Sequence, residues 1–293
     1  MQSKKIVVTG SSGRAGRAVV RDLIEHGYNV IGVDLTPAPE PSPANPDEML
    51  AGSLAEHLKA DLTDLGQTLE VLMGADAVVH LANIPAPGLF PPGRTFVENV
   101  AMNYNVFSAA VDLKLERVVW ASSETTLGLP FETPPRYAPV DEAHFPFPES
   151  SYALSKSVSE AMAEQFVRRS GIPFIALRFS NILGPQEYRT FPEKYWHDAR
   201  LRKWNLWGYI DERDVAQSCR LGLSSDVQGA ESFIIAAADT VMNRPSRDLM
   251  AEVFPGVEVA ESLPEYGTLL GIEKARKLLG FEPAHSWREV VEG

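Results

Sequence analysis

Cysteine is nearly absent. Cys219 stands alone in 293 residues, which excludes an internal disulfide framework and points to a reducing compartment, the cytoplasm. Cys219 itself reads as a buried filler on a helix. Long apolar runs are missing too: no stretch approaches the roughly 20 residues needed to span a bilayer. Ile6-Val7-Val8 is too short for the apolar core of a secretion signal and reads as a strand instead. Positive charge is scarce, with 27 Lys and Arg against 39 Asp and Glu and a net charge of -12. That balance argues against nucleic acid and against an anionic membrane surface, both of which need a basic face. His80 and His197 have no partner histidine or cysteine at ligand spacing, so no metal site is expected. Repeats are absent, and the one biased tract is a proline cluster, Pro37, Pro39, Pro41, Pro43 and Pro46, which can be neither helix nor central strand.

What is present is enough apolar content, 44%, to bury one large core or one core with a small appended lobe. The pattern is clearest at the start. Lys4-Lys5-Ile6-Val7-Val8-Thr9 is a short β-branched run, cut off by Gly10-Ser11-Ser12-Gly13-Arg14-Ala15-Gly16. Helical spacing then takes over, with Val19, Val20, Leu23 and Ile24 on one face. Glycines at the first, fourth and seventh positions suit a tight turn, a close approach of backbone to a pyrophosphate, and tight helix-to-strand packing. A phosphate would rest on the helix N-terminus, where N–H groups and the dipole favour anions. A second strand, Tyr28 to Asp34, ends in an acid about 20 residues past the loop, where a dinucleotide fold places the carboxylate that grips the ribose diol. Asp34 favours NAD over NADP, because a carboxylate repels a 2′-phosphate; Arg14 is the counter-argument, since it could reach such a phosphate.

Strands at His57–Asp61, Ala77–Ala82, Arg117–Ser122 and Pro173–Phe179 alternate with helices at Leu65–Met73, Thr95–Leu113 and Ser151–Ser170. This alternation predicts an α/β fold, a doubly wound parallel sheet of Rossmann type covered on both faces. We expect a dinucleotide-binding domain over residues 1–180 and a small substrate-binding lobe over 181–293, interleaved with the end of the sheet. Ligands should cluster beyond the strands' carboxyl ends. Ser122 and Ser123 fall at such an end, and Tyr152 and Lys156 lie one helical turn apart on one face. A tyrosine's ordinary pKa is near 10, and an adjacent ammonium favours the phenolate. A serine hydroxyl facing the same point could hold a substrate oxygen while Tyr152 moves its proton.

These residues resemble the short-chain dehydrogenase/reductase superfamily, in its extended branch of sugar-nucleotide epimerases and dehydratases. The similarity runs nearly end to end, through Thr9–Gly16, Asp34, Asp61-Leu62, His80-Leu81-Ala82, Asn99-Val100, Ala121-Ser122-Ser123, Tyr152 to Lys156, Arg178–Pro185, Gly208–Ala216 and Lys274–Pro283. The resemblance implies that Tyr152 is the general acid/base, that Lys156 lowers its pKa and holds the nicotinamide ribose, and that Ser123 orients the substrate. It implies a role for Asn99 in catalysis and cofactor binding, with Asn103 and Asn105 nearby leaving the choice open. By the same resemblance Gly10, Ser12, Gly13, Arg14, Ala15, Gly16 and Asp34 cradle the cofactor, Asp61 and Leu62 flank the adenine, Leu81 and Ala82 lie beside ribose and phosphates, and Phe179 and Ser180 close over the nicotinamide. Asn83, Ser123, Glu124, Asn181 and Arg189 are candidate substrate contacts. The long helices Thr95–Leu113 and Ser151–Ser170 resemble those that pair in homodimers of the superfamily.

The chain departs from the branch in ways that narrow the reaction. Glu124-Thr125 replaces the Asp-Glu pair of the dehydratases, which disfavours dehydration, and Leu127 stands where a tyrosine is usual. The stretch from Pro185 to Tyr209 is short where nucleotide-sugar enzymes insert elements for the diphosphate. In this the chain resembles compact hexuronate dehydrogenases and implies a small substrate: a sugar, sugar acid or polyol. An anionic substrate would need a cation, and Arg189 is the best placed among Arg189, Lys194, Arg200, Arg202 and Lys203. Trp196, Trp204 and Trp207 could stack on a sugar ring, core or lid packing being the plainer reading. Glu124 could serve as a second acid/base, although a surface-facing side chain is the expectation. The rivals to a dehydrogenase are a nucleotide-sugar epimerase with tightly held NAD and a non-catalytic dinucleotide sensor.

Overall fold

A computed structural model describes residues 3–36 and 56–291; the proline cluster lies outside them. The chain begins with β1 (Lys5–Thr9) and α1 (Arg14–Glu25), followed by β2 (Asn29–Asp34), β3 (Glu56–Lys59), α2 (Leu65–Leu72), β4 (Ala77–His80) and α3 (Pro92–Asp112). Then come β5 (Arg117–Ser123), a 3₁₀ turn (Glu124–Leu127), β6 (Tyr137–Ala138), α4 (Ser151–Ser170), β7 (Phe174–Phe179) and β8 (Ile182–Leu183). Two single-turn helices, α5 (Pro185–Tyr188) and α6 (Phe191–Lys194), and a second 3₁₀ turn (Ala199–Asn205) lead to β9 (Ile210–Asp211) and α7 (Glu212–Ser224). The chain closes through β10 (Ala230–Ile235), α8 (Ser246–Val253), β11 (Glu258–Val259) and α9 (Glu273–Leu279).

The main sheet has seven strands in the order β10-β7-β5-β4-β1-β2-β3, with every neighbouring pair parallel. Side chains alternate across it with the period of two that a strand imposes. Ile6, Val8, Val79, Val119, Ile175 and Leu177 turn to one face and meet Val19, Val20 and Leu23 of α1 and Val215 and Cys219 of α7. Val7, Val78, Val118, Trp120 and Ala176 turn to the other and meet Leu72 of α2, Val106 and Phe107 of α3 and Phe166 of α4. Phe107 packs edge-on against Trp120 at 5.3 Å. A third apolar cluster lies around Trp207, Tyr209, Met242, Leu270 and Trp287, and it draws on Leu127, Leu129 and Phe131 as well. Residues before 181 therefore help build this third cluster.

Boundaries differ from the sequence reading by a few residues. The third strand covers Glu56–Lys59 rather than His57–Asp61, and the fourth ends at His80. Helix α3 starts at Pro92 rather than Thr95, because proline is favoured in the first turn where its missing N–H costs nothing. The seventh strand, β10, was not expected: its opening Ala230-Glu231-Ser232 breaks the apolar run that marks a buried strand. Cys219 is fully buried on α7, and burial pushes its thiol well up.

Candidate active site

The ends of β1, β2, β4, β5 and β7 open onto one cleft of about 1080 Å³. Its floor is the glycine turn. Gly10 has φ +71°, and a Cβ there would meet the Ala82 nitrogen at 2.7 Å; at Gly16 it would meet the Gly10 carbonyl oxygen at 2.1 Å. Only glycine fits, and the turn presents bare backbone. No side chain caps α1, whose N-terminal residues Arg14, Ala15 and Gly16 line the cleft with Gly10 and Gly13. Anion-favouring N–H groups at a helix start and a shape that only glycine allows are what a pyrophosphate requires, so the residues present fit a dinucleotide. Ser12 does not line the cleft; its N–H donates to Asp34 Oδ2 at 3.0 Å. Asp34 Oδ1 accepts from the Thr36 N–H at 3.0 Å and the Thr36 hydroxyl at 3.1 Å. Asp61 and Leu62 stand on the same side, Leu81 and Ala82 in the middle.

Arg14 is committed to acids. It pairs with Glu187 and approaches Glu212 at 3.7 Å, and it donates to the Ile182 carbonyl at 3.2 Å. Those contacts tie the glycine turn to β8 and α5.

At the far end of the cleft, Ser123, Tyr152, Lys156, Phe179, Ser180 and Asn181 converge. Helix α4 is what aims Tyr152 and Lys156: Ser150 caps it, its hydroxyl accepting from the Ala153 N–H at 3.1 Å, so Tyr152 sits in the first turn and Lys156 one turn on. The Ser123 hydroxyl acts on the Tyr152 phenol and pulls its pKa down against burial. Lys156 is buried and donates to Asn83 Oδ1 at 2.8 Å and to the Ala121 carbonyl at 2.7 Å. Asn83 in turn donates to Asn103 Oδ1 at 3.0 Å, which also accepts from His80 Nε2 at 2.9 Å, and the Thr9 hydroxyl donates to His80 Nδ1 at 2.7 Å. His80 is neutral there, pushed down to about 3 by burial first and by the Lys156 charge second. This chain of groups runs from β1 to the lysine, and spacing alone did not reveal it.

Four expectations change. Lys156 does not bring the Tyr152 phenol down in this state: burial pushes the phenol up to about 12 and the ammonium down to about 7. Asn99 does not line the cleft; it staples the loop after β4, with Oδ1 accepting from the Ile84 N–H at 2.7 Å and Nδ2 donating to the Ile84 carbonyl at 3.1 Å. Arg189 is exposed and outside the cleft, since α5 turns it to solvent. Glu124 is not on the surface: at 3% exposure it lies under Ser180, whose hydroxyl donates to Oε2 at 2.7 Å, with Asn205 Nδ2 donating to Oε1 at 3.1 Å. The 3₁₀ turn after β5 winds it inward. Of the three tryptophans, Trp204 lines the cleft, Trp207 is buried in the lobe, and Trp196 packs beside Trp287.

Residues 6–212 match the family model for the NAD dependent epimerase/dehydratase family. A "putative UDP-glucose 4-epimerase" of Methanocaldococcus jannaschii is 30% identical over 189 residues, 62% of this chain and 57% of that protein, so the match spans little over half of that relative's length. An "NAD-dependent glucose-6-phosphate dehydrogenase" of Haloferax volcanii is 28% identical over 197 residues, 62% of this chain and 71% of that one. The fold is that of the UDP-glucose 4-epimerase of Thermotoga maritima, with a TM-score of 0.72 at 21% identity over 97% of this chain and 95% of the other. With most of its length covered by the family model, this chain belongs to the NAD-dependent epimerase/dehydratase family.

Proposed function

We propose that the cleft binds NAD and transfers hydride between it and a hydroxyl-bearing carbon of a small sugar or polyol. The observation that carries this reading is the convergence of Ser123, Tyr152 and Lys156 at the end of a cleft floored by the glycine turn. Tyr152 takes the hydroxyl proton as hydride leaves the carbon, Ser123 holds the oxygen, and Lys156 steadies the phenolate. Bound in this cleft, NAD would supply the hydride acceptor. Asp34, already an acceptor for three donors at the end of β2, suits a ribose diol and repels a 2′-phosphate, and Arg14 is occupied by Glu187 and Glu212. NAD is therefore preferred over NADP. The dehydrogenase reading is favoured by the shortness of the segment from Pro185 to Tyr209, which holds only single turns of helix.

The test is reduced-nicotinamide absorbance with purified protein, NAD, and a panel of free sugars, polyols, sugar acids and nucleotide sugars. NADH well beyond the enzyme concentration supports a dehydrogenase. Inversion of a nucleotide sugar without NADH supports the epimerase reading, which the similarity to the Methanocaldococcus relative favours. Tyr152→Phe is expected to lower kcat by about 10²–10⁴-fold with NAD binding unchanged; normal turnover in that variant overturns the mechanism.

A homodimer is also proposed. Helices α3 and α4 pack side by side and leave Val97, Tyr104, Leu154 and Val158 exposed on their outer faces. Among the described residues, no helix is long and apolar enough to cross a membrane.

A further inference from the structure

The substrate end of the cleft holds a buried carboxyl group. Glu124 follows Ser123 directly, and its side chain is buried yet lines the cleft. Its oxygens accept hydrogen bonds from the Ser180 hydroxyl and from Asn205 Nδ2, and the Asn181 backbone N–H also acts on the carboxyl. A carboxylate has about four lone-pair sites, so acceptor capacity remains for a ligand. Behind it, Arg202 donates to the Gly208 carbonyl at 2.7 Å and is stacked by the rings of Tyr195 at 5.2 Å and Trp204 at 4.6 Å. Arg202 offsets part of the Glu124 charge but does not reach the cleft.

The cations that do line the cleft among the described residues are Arg14, Arg94 and Lys156. Arg14 is held by Glu187 and Glu212, Arg94 by Glu98 at 2.7 Å, and Lys156 by Asn83 and Ala121. The lining acids are Asp34, Asp61, Glu98, Glu124 and Glu149, which outnumber them. Residues 37–55 contain no lysine, arginine or histidine. A substrate carboxylate or phosphate at this end would thus face a like charge in a low-dielectric site, where Lys156, the one lining cation without an acid in contact among the described residues, is already turned to Asn83 and Ala121.

We propose that Glu124 determines specificity by accepting a hydrogen bond from a hydroxyl next to the reacting carbon, so that the enzyme takes neutral sugars or polyols and rejects sugar acids and sugar phosphates. This rests on the reading of the cleft as an NAD-dependent hydride-transfer site. Trp204, Leu129 and Pro130, also in the lining, supply apolar surface for the C–H face of such a ring. Burial pushes Glu124 up to about 7 against the pull of Ser180, Asn205, Arg202 and the Asn181 N–H, so the carboxyl is ionised above that pH and repels anions most strongly there.

The experiment uses matched pairs: galactose against galacturonate, glucose against glucose 6-phosphate, and sorbitol against gluconate. Oxidation of each is followed with NAD, and binding of each to the complex with NADH is followed by nicotinamide fluorescence. Loss of a hydrogen bond to a charged group corresponds to roughly tenfold or more. The neutral member of a pair is therefore expected to lead in kcat/KM and in affinity by about tenfold or more, and Glu124→Gln to shrink that lead by a similar factor while NADH still binds. A charged member preferred by the unaltered protein overturns the proposal, as does indifference to both members of every pair or a lead that Glu124→Gln leaves intact. The pairs measured on the unaltered protein decide the matter even if the variant does not fold. Failure of NADH to bind at all fells the underlying reading; NADH binding with a preference for acids fells only the role of Glu124.

Discussion

Burying a carboxyl group costs stability wherever it must ionise, and Glu124 shows the sign of that cost. Its folded-state pKa, about 7, lies above the ordinary value of 4.5, with burial as the largest cause. The stability it contributes is fully present below about 4.5 and is lost as pH rises through about 7. The size of the shift corresponds to about 3 kcal/mol. Glu124→Gln has nothing to ionise, so the variant is expected to gain on the unaltered protein by roughly 5–10 °C in Tm between pH 5 and pH 8. A difference in Tm that stays constant across that range means that neighbours such as Arg202, Ser180 and Asn205 compensate the charge completely. His80 titrates alike in both proteins and cancels from the comparison. Glu124 was legible as a candidate contact, but its burial was not. A glutamate after a strand reads as solvated, and its partner Asn205 stands 81 residues further on.

The elements around the site divide into those the chain announces and those it hides. The opening strand, turn and helix were legible because glycine spacing reports backbone geometry directly, and the structure turns that into a test. In Gly16→Ala the new methyl would lie 2.1 Å from the Gly10 oxygen and 2.7 Å from the Ser11 Cα, both backbone atoms. We expect a loss of about 1–3 kcal/mol in urea unfolding together with loss of NAD binding. Wild-type affinity in a stable variant would mean the turn is not the phosphate cradle. Helix α4 was legible to the residue because Ser150 caps it and Gly171, at φ +74°, ends it. Strand β10 was hidden by its polar start. Arg189 was misjudged for a different reason: nearness in sequence to Asn181 says nothing of direction once a single-turn helix intervenes.

Taken together, the sheet and its two helix layers follow from alternation of short apolar runs and amphipathic helices, whereas the lobe could not be drawn in advance. Its core joins Leu127, Phe131, Trp207, Met242 and Trp287, which are far apart in the chain and share no period. The exposed row on α3 and α4 belongs to the same question of assembly. Light scattering is expected to give a dimer, and Tyr104→Glu with Val158→Glu a monomer, since charge on an apolar contact is costly to bury; a monomeric unaltered protein overturns the proposed pairing. Within that frame Cys219 has a particular position. It is wholly buried on α7 against the β-sheet, with its thiol held far from ionisation. Thiol reagents and oxidants meet it only in molecules whose sheet has come apart, so a modified sulfur is a lasting record that the chain carrying it has at some time unfolded.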